Sequence, residues 1–296
     1  MFKRISILSL VVFSLISEIA ISQNDDNTVL WEISGNGLEK PSYVYGIINF
    51  LPKKDFFIPK EVKNALKNCE VFATKMMINN SSKSKFNKAV RIPNDGWIND
   101  YLTDDELNKL RLLLLLDFEV KENVYHDFYS RLQPIILVTA TTALYLEDDI
   151  IYMEDELSKM AKKNRMRFDE LGSIQEEIDA FGKFPITDQV EALKYTVNNF
   201  YEHIEDYNQL VKYYVEDQDL KKVKSETLKA TNESQNFRKI YYDERLTHWL
   251  PGVKKMITNR STFIAIGAPY LAGEQNLIKM LRNEGYDVKA IATSKN

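Results

Sequence analysis

Two short runs rich in β-branched and aromatic residues, Val29 to Ser34 and Ser42 to Phe50, flank Gly35-Asn36-Gly37 near the start of the chain. Asn-Gly between such runs is a strong hairpin signal, because both residues accept a positive φ, so a strand pair is expected here. A helix is predicted from Pro59 through Asn68, with Val62, Ala65, Leu66 and Cys69 on one face. The next run, Val71 to Ile78, alternates as a strand: Val71, Ala73, Lys75 and Met77 share one side, Phe72, Thr74, Met76 and Ile78 the other. Both sides are mostly apolar, which predicts a central strand. Asn79 to Lys88 is polar and serine-rich and reads as a loop.

Helical spacing then takes over. Thr103 followed by Glu106 is a capping-box signature ahead of a leucine-rich helix through Leu116. The apolar run Ile135 to Leu146 falls short of the ~18 residues that suggest a membrane span and is expected to be a buried helix. Glu154 to Asn164 reads as an amphipathic helix, Arg167 to Leu171 as a short strand, and Asp188 to Lys229 as one or two long helices with charged, solvated faces. The C-terminal part returns to a βαβ pattern: a strand Thr262 to Ala268, a helix Gly273 to Asn283 capped by Gly285, and a strand Asp287 to Ala292. The expected fold class is therefore α+β (mixed α/β), with a central sheet built from the N- and C-terminal strands and a large helical insertion over approximately 101–250.

The first 22 residues stand apart. Lys3 and Arg4 precede the apolar run Ile5 to Ile16, and Ala20 and Ser22 fit the −3 and −1 positions of a cleavage before Gln23. This is the pattern of a secretory signal peptide, so residues 23–296 are expected to form one exported domain, periplasmic or secreted, with no transmembrane helix in the mature chain. No cysteine follows the run to accept a lipid, and Cys69, the single cysteine, admits no internal disulfide.

Charge removes one partner class. With 39 basic and 43 acidic residues among 296, and both signs spread along the chain, there is no basic field to gather phosphates, so nucleic acid is not expected as a partner. His126, His203 and His248 are isolated and read as surface or helix-packing groups. No His-Glu-x-x-His, Gly-x-Ser-x-Gly or phosphate-cradling glycine loop occurs.

Candidate chemistry lies at two strand ends, where open α/β sheets commonly hold ligands. Gly46-Ile47-Ile48-Asn49 closes the second strand and Gly267-Ala268-Pro269-Tyr270 follows the strand Thr262 to Ile266; each runs from a glycine to a polar side chain three residues on. These two segments, with the later runs LGSIQEEIDAFGKFPITDQ and ERLTHWLP, resemble the TraB/GumN family, whose animal relatives are the Tiki membrane metalloproteases. The resemblance spans nearly all of the mature chain in order.

The family implies a divalent-metal hydrolytic site made of two Gly-x-x-His motifs and a glutamate on the strand after the first helix. Matched residue by residue, the histidines fall on Asn49 and Tyr270 and the glutamate on Lys75, so all three are replaced; the motif glycines Gly46 and Gly267 and a family arginine, Arg245, are kept. An amide and a phenol are poor ligands for zinc-like metals, and an ammonium repels a divalent cation. No metal is therefore expected at these positions, although the family implies one. Lys75, costly to bury unpaired, is expected to meet Asn49, Tyr270 or a carboxylate. The resemblance then implies a catalytically degenerate member that binds an unidentified protein, peptide or small ligand in the remnant cleft. Two alternatives stand beside it: an active metal-dependent hydrolase or peptidase using other ligands, with Glu154, Glu177 and Asp188 as candidates, and a structural or accessory envelope protein.

Overall fold

The computed structural model describes residues 27–77, 80–146 and 149–294, so the expected signal segment lies outside the described residues. Strands β1 (Leu30–Ser34) and β2 (Ser42–Ile47) form the predicted antiparallel hairpin, with Leu30 opposite Tyr45 and Ile33 opposite Ser42. Gly35, Asn36 and Gly37 turn the chain with φ of 72°, 45° and 81°, the left-handed region that Gly and Asn tolerate. The run predicted as one strand to Phe50 breaks at Ile48-Asn49, and β3 (Phe50–Pro52) leaves the main sheet.

Helix α1 (Lys60–Lys67) follows with Pro59 as its cap, then β4 (Val71–Thr74), whose four residues are all buried. This strand is interior as expected, but it ends four residues before Ile78, and Lys75 lies just beyond its end. Helix α2 (Asn80–Ala89) occupies the stretch read as a loop. Tertiary contact overrides the polar composition there: the ring of Phe86 packs 6.2 Å from that of Phe181.

Helix α3 (Asp104–Leu112) opens on the predicted box, in which the Thr103 N–H donates to Glu106 Oε2 at 2.9 Å and the Glu106 N–H to Thr103 Oγ1 at 3.3 Å. A wider turn, Leu113–Asp117, extends it. Then come α4 (Glu122–Asp127), α5 (Pro134–Tyr145) from the apolar run, β5 (Ile150–Tyr152) paired with β3, α6 (Met153–Lys163), and β6 (Arg167–Glu170). Helices α7 (Ile174–Lys183), α8 (Ile186–Asn198), α9 (Phe200–Lys212) and α10 (Leu220–Lys229) follow. The span 188–229 thus holds three helices rather than one or two. Asn199 interrupts the first pair; Gln218, left-handed at φ 50°, and Asp219, whose carboxylate accepts from the N–H groups of Lys221 and Lys222, separate the second.

Helix α11 (Gln235–Arg238) runs through a π-helical stretch, Lys239–Glu244, into α12 (Arg245–Asn259). Strand β7 (Thr262–Gly267) passes into a tight turn, Ala268–Leu271, and α13 (Leu277–Asn283) begins at Leu277 rather than Gly273, because Gly273 is left-handed and Asn276 caps the helix. Gly285, at φ 88°, ends it as predicted, and β8 (Asp287–Ile291) is the last element among the described residues.

The main sheet has the order β6-β4-β7-β2-β1-β8. Strands β6, β4, β7 and β2 are parallel, and β1 runs antiparallel between β2 and β8. The βαβ unit β7-α13-β8 therefore crosses over two strands, and one edge strand, β6, is added from the middle of the chain. The mixed α/β fold matches the expectation.

Three clusters of buried apolar side chains form among the described residues, the smallest being Leu113, Phe200 and Ile204. One joins the sheet (Val44, Phe72, Phe263, Ile264) to α1, α10 and α12 (Leu66, Val223, Leu246, Val253); a second (Leu110, Leu114, Leu137, Phe184, Leu193) lies among helices and the segments that join them, away from the main sheet. Part of the predicted insertion, from α9 through α12, thus covers the sheet. No helix among the described residues is long and apolar enough to cross a membrane.

Candidate functional site

Strands β6, β4, β7 and β2 end at a common edge. Register pairs Ala73 with Ile264 and Ile47 with Gly267, so Lys75, the Gly267–Tyr270 turn and Asn49 sit at the carboxyl ends of three neighbouring parallel strands. That is the edge at which open α/β sheets hold ligands. Both motif glycines have a packing reason to be there. A Cβ on Gly46 would stand 3.2 Å from Ala268 Cα and 3.0 Å from Leu271 Cδ1, and one on Gly267 would stand 3.2 Å from the Tyr270 ring. Small residues let the turn after β7 lie close against β2.

Lys75 meets a carboxylate, one of the three partners expected for it. Its Nζ is 3.2 Å from Glu177 Oε2, and the same oxygen accepts from Arg245 Nη1 at 2.7 Å. Helix α7 aims Glu177 inward through its first turn. Ser173 and Glu176 form a reciprocal capping box, which turns Glu176 outward to the exposed His248 at 3.0 Å and leaves the next residue on the inner face. Burial pushes the Glu177 carboxyl up, but Lys75 and Arg245 outweigh it and hold the group below the usual range.

Glu154, in the first turn of α6, belongs to the same neighbourhood. Burial raises its carboxyl above the ordinary value, with Lys75 opposing. Asp188 does not: its carboxylate accepts from Ser234 Oγ at 2.6 Å and Asn236 Nδ2 at 3.0 Å, at the start of α11. Asn49 is exposed at the mouth of the edge.

Tyr270 is buried, with its ring 4.9 Å from that of Tyr242 and 5.1 Å from that of Trp249. Burial pushes its hydroxyl up to about 12, against the pull of the Arg245 guanidinium, so it stays a neutral phenol. Arg245 follows the π-helical stretch, and that stretch turns Tyr241, Tyr242 and Arg245 all toward the interior; the guanidinium lies 4.4 Å from the centre of the Tyr241 ring. Its second amino group, Nη2, is buried without a hydrogen-bond partner among the described residues.

The three positions that the family resemblance assigns to metal ligands thus carry an amide, an ammonium paired with a carboxylate, and a neutral phenol. This donor set does not fit a divalent metal. Among the described residues, no group of three or more His, Cys, Asp or Glu side chains is arranged to hold one. The remaining histidines have local partners: His203 is buried against Thr142 Oγ1 at 2.7 Å, and His126 lies 3.0 Å from Asp127. On the solvent side of α12, Lys239, Asp243, Glu244, Thr247, His248, Pro251 and Gln275 line a separate open groove of about 570 Å³.

Sequence reasoning named Lys75, Tyr270, Arg245 and Glu177 but did not join Glu177 to the cations. It also missed the aromatic wall of Tyr241, Tyr242 and Trp249. The available signals were Glu176-Glu177 behind a serine cap, where only one carboxylate can serve the cap, and the Tyr-Tyr pair ahead of Arg245.

A model of the TraB/PrgY/gumN family matches residues 29–290 of the chain. No curated protein and no solved structure gives a significant match.

Proposed function

The chain belongs to the TraB/PrgY/gumN family, and from that premise we propose that it is a catalytically degenerate, Tiki-like member, exported from the cell, that holds a protein, peptide or small ligand in the remnant of the family's metal site. One observation carries this reading: the position assigned to a metal-binding glutamate is an ammonium, 3.2 Å from the carboxylate of Glu177, which Arg245 also engages. A divalent cation would have to enter beside two positive charges and compete for an acceptor already held by both. Nor could the flanking positions repay it, since Asn49 is a weak ligand and the Tyr270 hydroxyl is held up near 12.

Metal content and titration with Mn²⁺, Co²⁺ and Zn²⁺ test the reading, comparing the wild type with the triple variant Asn49→His, Lys75→Glu, Tyr270→His. The expected result is stoichiometric binding by the triple variant alone. Tight stoichiometric metal in the wild type would overturn the proposal and favour the second reading, an active hydrolase using other ligands. The observation behind that alternative is the pair of carboxylates, Glu154 and Glu177, on Lys75.

A further inference from the structure

The replacements at the three motif positions share a property beyond being poor ligands: each brings an N–H or O–H donor. Asn49 presents an amide, Tyr270 a phenol that stays protonated, and Lys75 an ammonium whose side chain is 32% exposed. Arg245, with 91% of its surface covered, is held by Glu177 through Nη1 and engages the Tyr270 hydroxyl, while its Nη2 has no hydrogen-bond partner among the described residues. A buried guanidinium N–H without an acceptor is costly, so an acceptor bound beside it at these strand ends would relieve that cost. The acceptor side is depleted in the same place. Glu177 is committed to both cations, and burial disfavours the charged form of Glu154.

We propose that this edge binds an oxyanion, a carboxylate or phosphate group, seated between Lys75 and Asn49 over the Gly267–Tyr270 turn. The inference rests on the remnant-site reading above and gives its ligand a chemical class. Strands β4 and β2 are separated only by β7, so their ends stand about 10 Å apart at the usual strand spacing. The turn after β7 fills the space between those ends, so such a group would lie over the turn, where the exposed Asn49 and part-exposed Lys75 are the side chains it meets first. Charge-assisted hydrogen bonds from an ammonium and a guanidinium are the strong kind for such a group. The two sources share this chemistry and are told apart by the probe.

Calorimetric titration of the full chain with inorganic phosphate and, separately, with sodium acetate, at fixed ionic strength in chloride, tests the proposal. Saturable one-site binding of at least one probe is expected, and whichever binds more tightly identifies the source. Lys75→Met and Asn49→Asp should each weaken it tenfold or more, while Lys75→Arg retains it. Should Lys75→Met fail to fold, Asn49→Asp, at an exposed position, carries the test alone. Absence of saturable binding by either probe overturns the oxyanion site and leaves the loss of metal binding untouched. So does binding that Asn49→Asp and any folded Lys75→Met leave unchanged. Stoichiometric metal in the wild type overturns both.

Discussion

Strands β4 and β7 carry a three-member ion network at each end. Before the strands, Glu70 accepts from Lys40 at 3.2 Å and Arg260 at 3.0 Å, with all three side chains 42–64% exposed. Beyond them, Glu177 sits between Lys75 and Arg245 in the same plus-minus-plus order, but Glu177 and Arg245 are 8% and 9% exposed. Identical charge logic has different consequences on the two sides. At the exposed end water solvates each charge nearly as well as its partner does, so little depends on the pairing. At the buried end each partner is the other's solvent, and removing one strands the rest.

The largest way to sharpen that contrast is Arg245→Met, which leaves Glu177 buried with only the half-exposed Lys75. It should cost about 3–5 kcal/mol, read from urea unfolding, or prevent folding. A cost below about 1 kcal/mol would mean that the buried network behaves like the exposed one. Glu177→Gln, next in size, leaves two cations facing each other and should cost about 2–3 kcal/mol at neutral pH.

The same variant should flatten the acid limb of the stability profile. The folded-state pKa of Glu177 is depressed, so its stabilisation is fully present above the unfolded value of about 4.5 and is lost as pH falls through the lowered folded value. Glu154 runs the opposite way. Its raised pKa means that its contribution is present below the unfolded value and lost as pH rises through the folded one, so Glu154→Gln should stabilise the protein at neutral pH. Thermal melts across pH 3–8 separate the two residues.

Lys75→Met is expected to cost about 1 kcal/mol, because Glu177 keeps Arg245 and Lys75 is partly solvated. Glu70→Gln is the smallest change, a melting curve that overlays the wild type. If it instead destabilised the chain as much as Glu177→Gln, burial would not be what separates the two networks.

Much of the fold is legible in local sequence because its signals are local. Gly35-Asn36-Gly37 sets the hairpin, Thr103 with Glu106 starts a helix, and Gly285 stops one. Helix α2 is not legible, since its polar residues give no periodicity and its packing, such as Phe86 against Phe181, joins distant parts of the chain. Nor is the membership of β6 in the sheet, which rests on pairing between Val71 and Arg167 across the whole α2–α6 stretch. The site divides in the same way. Individual residues such as Lys75 and Arg245 stand out by the charge they carry where the family pattern expects another group or the same one. Their shared partner does not, because Glu177 lies 68 positions from Arg245 and reads locally as one more acid in a helix's first turn.

The strand order also governs when this protein can take shape. Strand β7 fills the middle of the sheet between β4 and β2, where the Thr262 N–H reaches Ser42 Oγ across 220 residues, and β8 closes the edge beside β1. Until β7 and β8 have left the ribosome, β4 and β2 have nothing between them and the β1–β2 hairpin has an open flank. The sheet stays unfinished while everything from β2 to α12 is made. Removing β7 and the residues after it therefore takes away the wedge that holds the two halves of the sheet together.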